Sequence, residues 1–368
     1  GAVLGVTVGS FCAAVYLSLR YKLRGDGISL KLRKQSPPSR PWRETVAALL
    51  KITGPVAAGS IAMNAAGLID ATFLQSRIGQ IMETAPKSLL EAYDGMIPQV
   101  YLTNPETLPT FLYGCYTLGM TLYMLVPALT QAIGMSALPA VTEAWARKDI
   151  MQLKERMESV LGITALVCFP AGLGLTALGE PIAKMLYGDG GSAPIIAGVL
   201  MTLGPASLFS ALCTPVSSML QAVGRADLPV KLLTVAMAIK IGVNWFLCAI
   251  PQVNIKGAGV GTLLCYLFYL VAQLICLNKV SGVRLGLWNL FAKPLVPAAL
   301  CGAGAYESYC VFYKLGCGNT AAAACAVVVG GIIYVTALFL VKALRKKDLM
   351  MLPNGQKIAK TLEKRGWI

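Results

Sequence analysis

The sequence predicts an all-α polytopic membrane protein with about nine transmembrane helices. Three observations predict it. Of 368 residues, 56% are hydrophobic and only 13% charged, and the mean hydropathy is +0.65. Soluble domains carry about 25% charged and about 45–50% apolar residues, so a globule of this size would lack the polar side chains to cover itself. Apolar runs long enough to cross a hydrocarbon core of about 30 Å, which takes about 20 helical residues, recur along the whole chain. Lysines and arginines fall on alternate connections between those runs. A soluble enzyme, a nucleic-acid binder and a disordered chain are excluded together, despite a formal net charge of +15.

The elements follow in order. Spans are expected at 1–19, 46–75, 108–138, 159–182, 194–222, 230–251, 258–278, 294–313 and 319–341. Several carry internal prolines (Pro55, Pro127, Pro170, Pro205, Pro215), which membrane helices tolerate because neighbouring groups re-satisfy the freed backbone. Residues 20–45, with Lys31, Arg33, Lys34 and the Pro37-Pro38 pair, read as a basic linker. Residues 76–107 form the one long outside loop, in which Lys87 to Tyr93 has the pattern of a short amphipathic surface helix. Residues 342–368 read as a basic tail lying against anionic lipid.

If the first span runs from outside to inside, the inside segments hold 26 basic residues and the outside loops five, with Lys240 inside a span. Such asymmetry over eight connections supports the span count and puts the C-terminus inside. Residue 1 then lies outside with no basic segment before it, and the chain starts at Gly1 rather than Met. The expectation is a fragment whose earlier helices are missing. Nine acidic residues accompany the 26 basic ones inside and six accompany the five outside, so the outer face is near neutral.

The chemistry is narrowed by an absence: the chain has no histidine. That removes imidazole acid/base catalysis, Ser-His and Cys-His nucleophiles, and His-ligated metal. The 11 cysteines sit mostly in apolar runs without any C-x-x-C pair and read as small packing residues, with no disulfide framework. No cofactor and no metal are expected.

Three stretches carry a family likeness: 47–75 (AALLKITGPVAAGSIAMNAAGLIDATFLQ), 127–149 (PALTQAIGMSALPAVTEAWARKD) and 239–262 (IKIGVNWFLCAIPQVNIKGAGVGT). In order and spacing they resemble the polysaccharide-transporter branch of the multidrug/oligosaccharidyl-lipid/polysaccharide exporter superfamily, closest to its stage V sporulation protein B and MurJ-like flippase group. That resemblance implies one complete six-helix lobe of a two-lobe transporter plus a C-terminal helix pair. Residues 1–19 would be the last helix of a truncated first lobe, 20–45 the inter-lobe linker, 46–279 the second lobe, 294–341 the extra pair and 342–368 the tail.

Ionisable residues inside spans cost about 2.5–3.5 kcal/mol at the helix centre, so each needs a partner or a wet cavity. Asp70 shares a broad helical face with Ser60, Asn64 and Gly67. It reads either as a cavity group for a head group or coupling cation, or as a hydrated carboxylate paired with Arg77. Arg77 itself reads as an outer-interface anchor. Lys240 lies nine residues past Lys231, roughly 14 Å into the bilayer, with Asn244 one turn further on the same face. A structural lysine held by Asn244 and backbone carbonyls is the simpler account. Glu307 reads as a peripheral lipid or helix-pairing contact. The resemblance places Tyr113 and Gln131 beside the cavity. Residues 108–138 contain no Lys or Arg, whereas MurJ-type flippases often carry a cavity arginine in the corresponding helix.

The function implied is a flippase, not an enzyme, that moves an undecaprenyl-linked cell-wall or polysaccharide precursor by alternating access. It would act as a monomer in the bacterial cytoplasmic membrane, with a lipid-linked oligosaccharide substrate, anionic membrane lipids as partners, a coupling cation as a further candidate and no nucleic acid. The alternatives are a cation-coupled multidrug exporter, which needs more intramembrane carboxylates than Asp70, and a membrane glycosyltransferase or ligase. The long outside loop offers the latter only Glu83, Glu91, Asp94 and Glu106, without a paired arrangement.

Overall fold

The computed structural model describes residues 2–25, 41–93, 95–188 and 190–341. Most of the basic linker and the whole tail at 342–368 lie outside the described residues. The chain divides into two units, Gly1–Lys51 and Ile52–Ile368. The first holds α1 (Ala2–Arg24) and the beginning of α2 (Trp42–Thr84). The second holds the rest of α2 and everything after it.

Seven helices among the described residues are long and apolar enough to cross a membrane. They are α5 (Leu108–Ala146), α6 (Ile150–Ala177), α8 (Ser192–Ala222), α9 (Asp227–Leu247), α10 (Asn254–Ser281), α11 (Leu287–Lys314) and α12 (Asn319–Leu340). The two earlier expected spans are helical as α1 and α2. Short helices α3 (Pro86–Ala92) and α4 (Gln99–Thr103) fill the long loop before α5, and α7 (Gly179–Tyr187) sits between α6 and α8.

The axis of the second unit is α8, against which α5, α6 and α10 pack. Lipid tails are as apolar as leucine, so these contacts depend on close backbone approach and interhelical hydrogen bonds rather than on a hydrophobic drive. Thr130 Oγ1 on α5 donates to the Ala211 carbonyl at 3.0 Å. Cys213 Sγ contacts the Tyr266 carbonyl of α10 at 3.8 Å. The α11–α12 pair rests on α6, where Tyr334 Oη donates to the Leu166 carbonyl at 2.7 Å. All 11 cysteines are free thiols.

Helix α2 lies along α9. Gly59 faces Val230, Asp70 meets Lys240 and Asn244, and the Phe73 and Trp245 rings are 5.4 Å apart. Residue numbers rise together on both helices, so the two run parallel. That is what the alternating topology demands of the second and sixth spans.

The connections are tighter than a polar-loop reading suggests. Leu89 and Tyr93 of the long loop are buried, and Gly191 comes so close to the Met96 carbonyl that any Cβ would overlap it. Asp149 caps α6 by accepting from the Gln152 amide at 2.9 Å. The Glu158 carboxylate accepts from the Gly286 amide at 3.0 Å, holding the start of α11. In α7, Glu180 lies 2.9 Å from Lys184 and raises the ammonium above the usual lysine range by hydrogen bonding to it.

Candidate functional site

Two of the intramembrane charges, Asp70 and Lys240, meet at one place. Asp70 stands on α2 about 21 Å before that helix's C-terminal end, and Lys240 on α9 about 20 Å past that helix's start, counting about 1.5 Å per residue. Lys240 Nζ donates to Asp70 Oδ2, and Asn244 Nδ2 donates to Asp70 Oδ1 at 3.2 Å. All three are buried, with exposures of 9% for Asp70, 6% for Lys240 and 4% for Asn244. Their placement follows from two features. Lys240 and Asn244 are four residues apart and share one face of α9, and α9 runs parallel to α2 with that face towards it. Both carboxylate oxygens therefore have a donor, one of them a full positive charge.

Neighbouring helices close the site. Gly261 on α10 lets the Asn244 carboxamide lie against the helix backbone, where a Cβ would collide with Asn244 Oδ1. Next to it, Thr262 is fully buried, and its hydroxyl donates to the Ala258 carbonyl at 2.9 Å. Tyr116 on α5 is buried. Asn244 Oδ1 and Tyr116 Oη have no hydrogen-bond partner among the described residues.

Arg77, two turns further along α2, does not pair with Asp70 among the described residues. Its guanidinium carbon lies 3.9 Å from the Trp245 ring centroid and 5.3 Å from that of Phe73, and Nη1 donates to Gln80 Oε1 at 2.8 Å. The cation–π stack keeps the charge outward of the ion pair. Lys240, in turn, is held by the Asp70 carboxylate rather than by backbone carbonyls, and Asn244 serves the same acceptor.

The other candidates fall elsewhere. Tyr113 is half-buried on α5, its ring 6.3 Å from that of Tyr116. Gln131 is exposed on the same helix. Helical spacing from Tyr113 to Gln131 passes through Thr117 and Thr121, both exposed, which the sequence reading did not single out. The signal was their i, i+4 spacing from Tyr113. Each donates back along the helix at 3.0 Å, to Tyr113 and Thr117 carbonyls respectively. Glu307 is exposed on α11. The side chains of Ser60 and Asn64 lie outside the described residues.

A second polar cluster links α8, α9 and α10. Gln273 Nε2 donates to Ser217 Oγ at 2.6 Å, Ser217 Oγ lies 3.4 Å from Tyr269 Oη, and Tyr269 Oη donates to the Pro229 carbonyl at 3.2 Å. Sequence reading missed it because neutral residues in apolar runs carry no charge signal.

Long apolar helices packed on a central one define an all-helical, multi-span membrane protein. The family description "Lipid II flippase MurJ" matches residues 115–309, and the chain belongs to that family. Among curated relatives from Bacillus subtilis (strain 168), the uncharacterized membrane protein YabM is 24% identical over 266 residues, 69% of this chain and 47% of YabM. Stage V sporulation protein B is 20% identical over 357 residues, 96% of this chain and 63% of the relative. Lipid II flippase MurJ is 24% identical over 162 residues, 44% and 29% of the respective chains. The chain thus spans from about a third to under two thirds of the relatives' lengths. A solved structure, lipid II flippase MurJ in an inward closed conformation, shares the fold with a TM-score of 0.51 at 14% identity, over 62% of this chain and 47% of that one.

Proposed function

We propose that this chain supplies the second lobe and terminal helix pair of a flippase for an undecaprenyl-linked cell-wall or polysaccharide precursor in the bacterial cytoplasmic membrane. The family match over residues 115–309 carries this reading. In it, 46–279 form the lobe, 294–341 the extra pair and 342–368 an inside tail against anionic lipid, with 1–19 and 20–45 as the preceding helix and linker. The protein acts as a monomer with its C-terminus inside.

Two lobes rock about a midplane cavity and expose the head group to each side in turn, while the prenyl tail stays in lipid. No bond is made or broken. On this lobe the face of α5 bearing Tyr113, Thr117, Thr121 and Gln131 offers neutral hydrogen-bonding groups for sugar or peptide moieties. Residues 108–138 bring no cation, so the pyrophosphate is met by groups outside this helix. The Asp70–Lys240 pair locks α2 to α9 and gives the lobe one rigid wall to move as a unit.

The test is an accessibility assay for externally exposed precursor in cells depleted of the protein. Exposure falls on depletion, is restored by the wild type, and is restored less well by Asp70→Ala. Unchanged exposure in a strain without a redundant homologue sinks the proposal.

A further inference from the structure

We infer that the Lys240 ammonium is a tethered counter-ion, holding the place that a free alkali-metal cation would take at the buried Asp70 carboxylate. Four observations on the chain point there. Asp70 has a charged donor on one oxygen and an amide donor on the other, so neither face of the carboxylate is left open. The pair is electrically neutral and buried, and a second cation would meet the ammonium at contact distance in a medium of low dielectric, where like charges repel strongly.

The carboxylate oxygen that the ammonium meets is a hard donor of the kind that alkali and alkaline-earth cations select. The Asn244 amide oxygen, whose amide nitrogen donates to Asp70, and the Tyr116 hydroxyl on α5 are also buried and without a partner among the described residues. The carboxylate comes from α2 and its two donors from α9. Arg77, the next cation along α2, is engaged with Trp245, Phe73 and Gln80 instead. The charge of an ammonium equals that of sodium or potassium; what differs is that it is bonded to α9 and cannot leave.

It follows that this site exchanges no ion with solution. The consequence for transport, that cycling draws no alkali ion through this lobe, rests on the flippase reading above; the site chemistry stands without it. Removing the ammonium should leave the buried Asp70 carboxylate open to a free cation.

The experiment is thermal unfolding of the purified full chain in detergent, followed by tryptophan fluorescence. It compares sodium, lithium, potassium and choline chlorides at equal ionic strength. Wild type is expected to unfold at one temperature in all four. Lys240→Ala and Lys240→Gln are expected to unfold lower in choline and to regain about 5 °C, saturably, in an alkali chloride, and Asp70→Asn in the same background abolishes the gain. A saturable alkali-specific shift in wild type overturns the inference, as does a folded Lys240→Ala or Lys240→Gln with no alkali-specific gain. If neither variant can be purified, the wild type alone decides, because an ion competing with the ammonium there would still register as a specific shift. None of these outcomes bears on precursor exposure in cells, so failure here is separable from failure of the flippase reading.

Discussion

The energetics of the membrane interior turn on two side chains. Removing one partner of a buried pair leaves an uncompensated charge and costs about 3–5 kcal/mol, whereas replacing both with apolar or neutral groups is often close to neutral. Asp70→Asn and Lys240→Met should each lower the unfolding temperature markedly, and the double variant should recover most of the loss. A thermal double-mutant cycle in detergent measures the coupling, and strictly additive losses would refute the pairing. The sequence exposed Asp70, Lys240 and Asn244 one at a time, because an ionisable or amide group in an apolar run demands an explanation. It could not join Asp70 to Lys240, since 170 residues separate them and their meeting depends on α2 lying beside α9. Arg77 was the nearer cation in sequence and the wrong partner in space, because Trp245 and Phe73 offer it an aromatic bed.

At the scale of elements, hydropathy located the spans but not their ends. The second span, expected at 46–75, is part of a helix from Trp42 to Thr84, since a helix continues past the bilayer wherever its backbone bonds can. The expected span 159–182 runs across a break at Leu178 that separates α6 from the short α7. The outer loop was legible as a loop, and its helix at Pro86–Ala92 nearly so, but not its tight seat on the bundle. Met96 in that loop bears on Gly191, a contact that no local pattern announces. Gly191→Ala should therefore displace the loop and destabilise the chain by about 1–3 kcal/mol, the usual cost of forcing volume into a packed site. Limited proteolysis between residues 94 and 107 reads the displacement, and an unchanged cleavage rate would contradict the contact.

For the whole molecule, the charge distribution makes a directional claim. Cys317, between α11 and α12, is exposed, and the topology puts it outside. In intact cells a membrane-impermeant maleimide should label Cys317, while a cysteine introduced at Lys154 should react only after permeabilisation; the reverse pattern inverts the topology. The parallel course of α2 and α9 has a consequence in time. A ribosome adding about 5–20 residues per second makes Lys240 roughly 10–30 s after Asp70, given the 170 residues between them. Throughout that interval the Asp70 carboxylate enters the membrane without its ammonium and must stay wet or wait with the insertion machinery. Biogenesis of this chain thus passes through a dated intermediate, one whose lifetime lengthens with every pause in translation between α2 and α9.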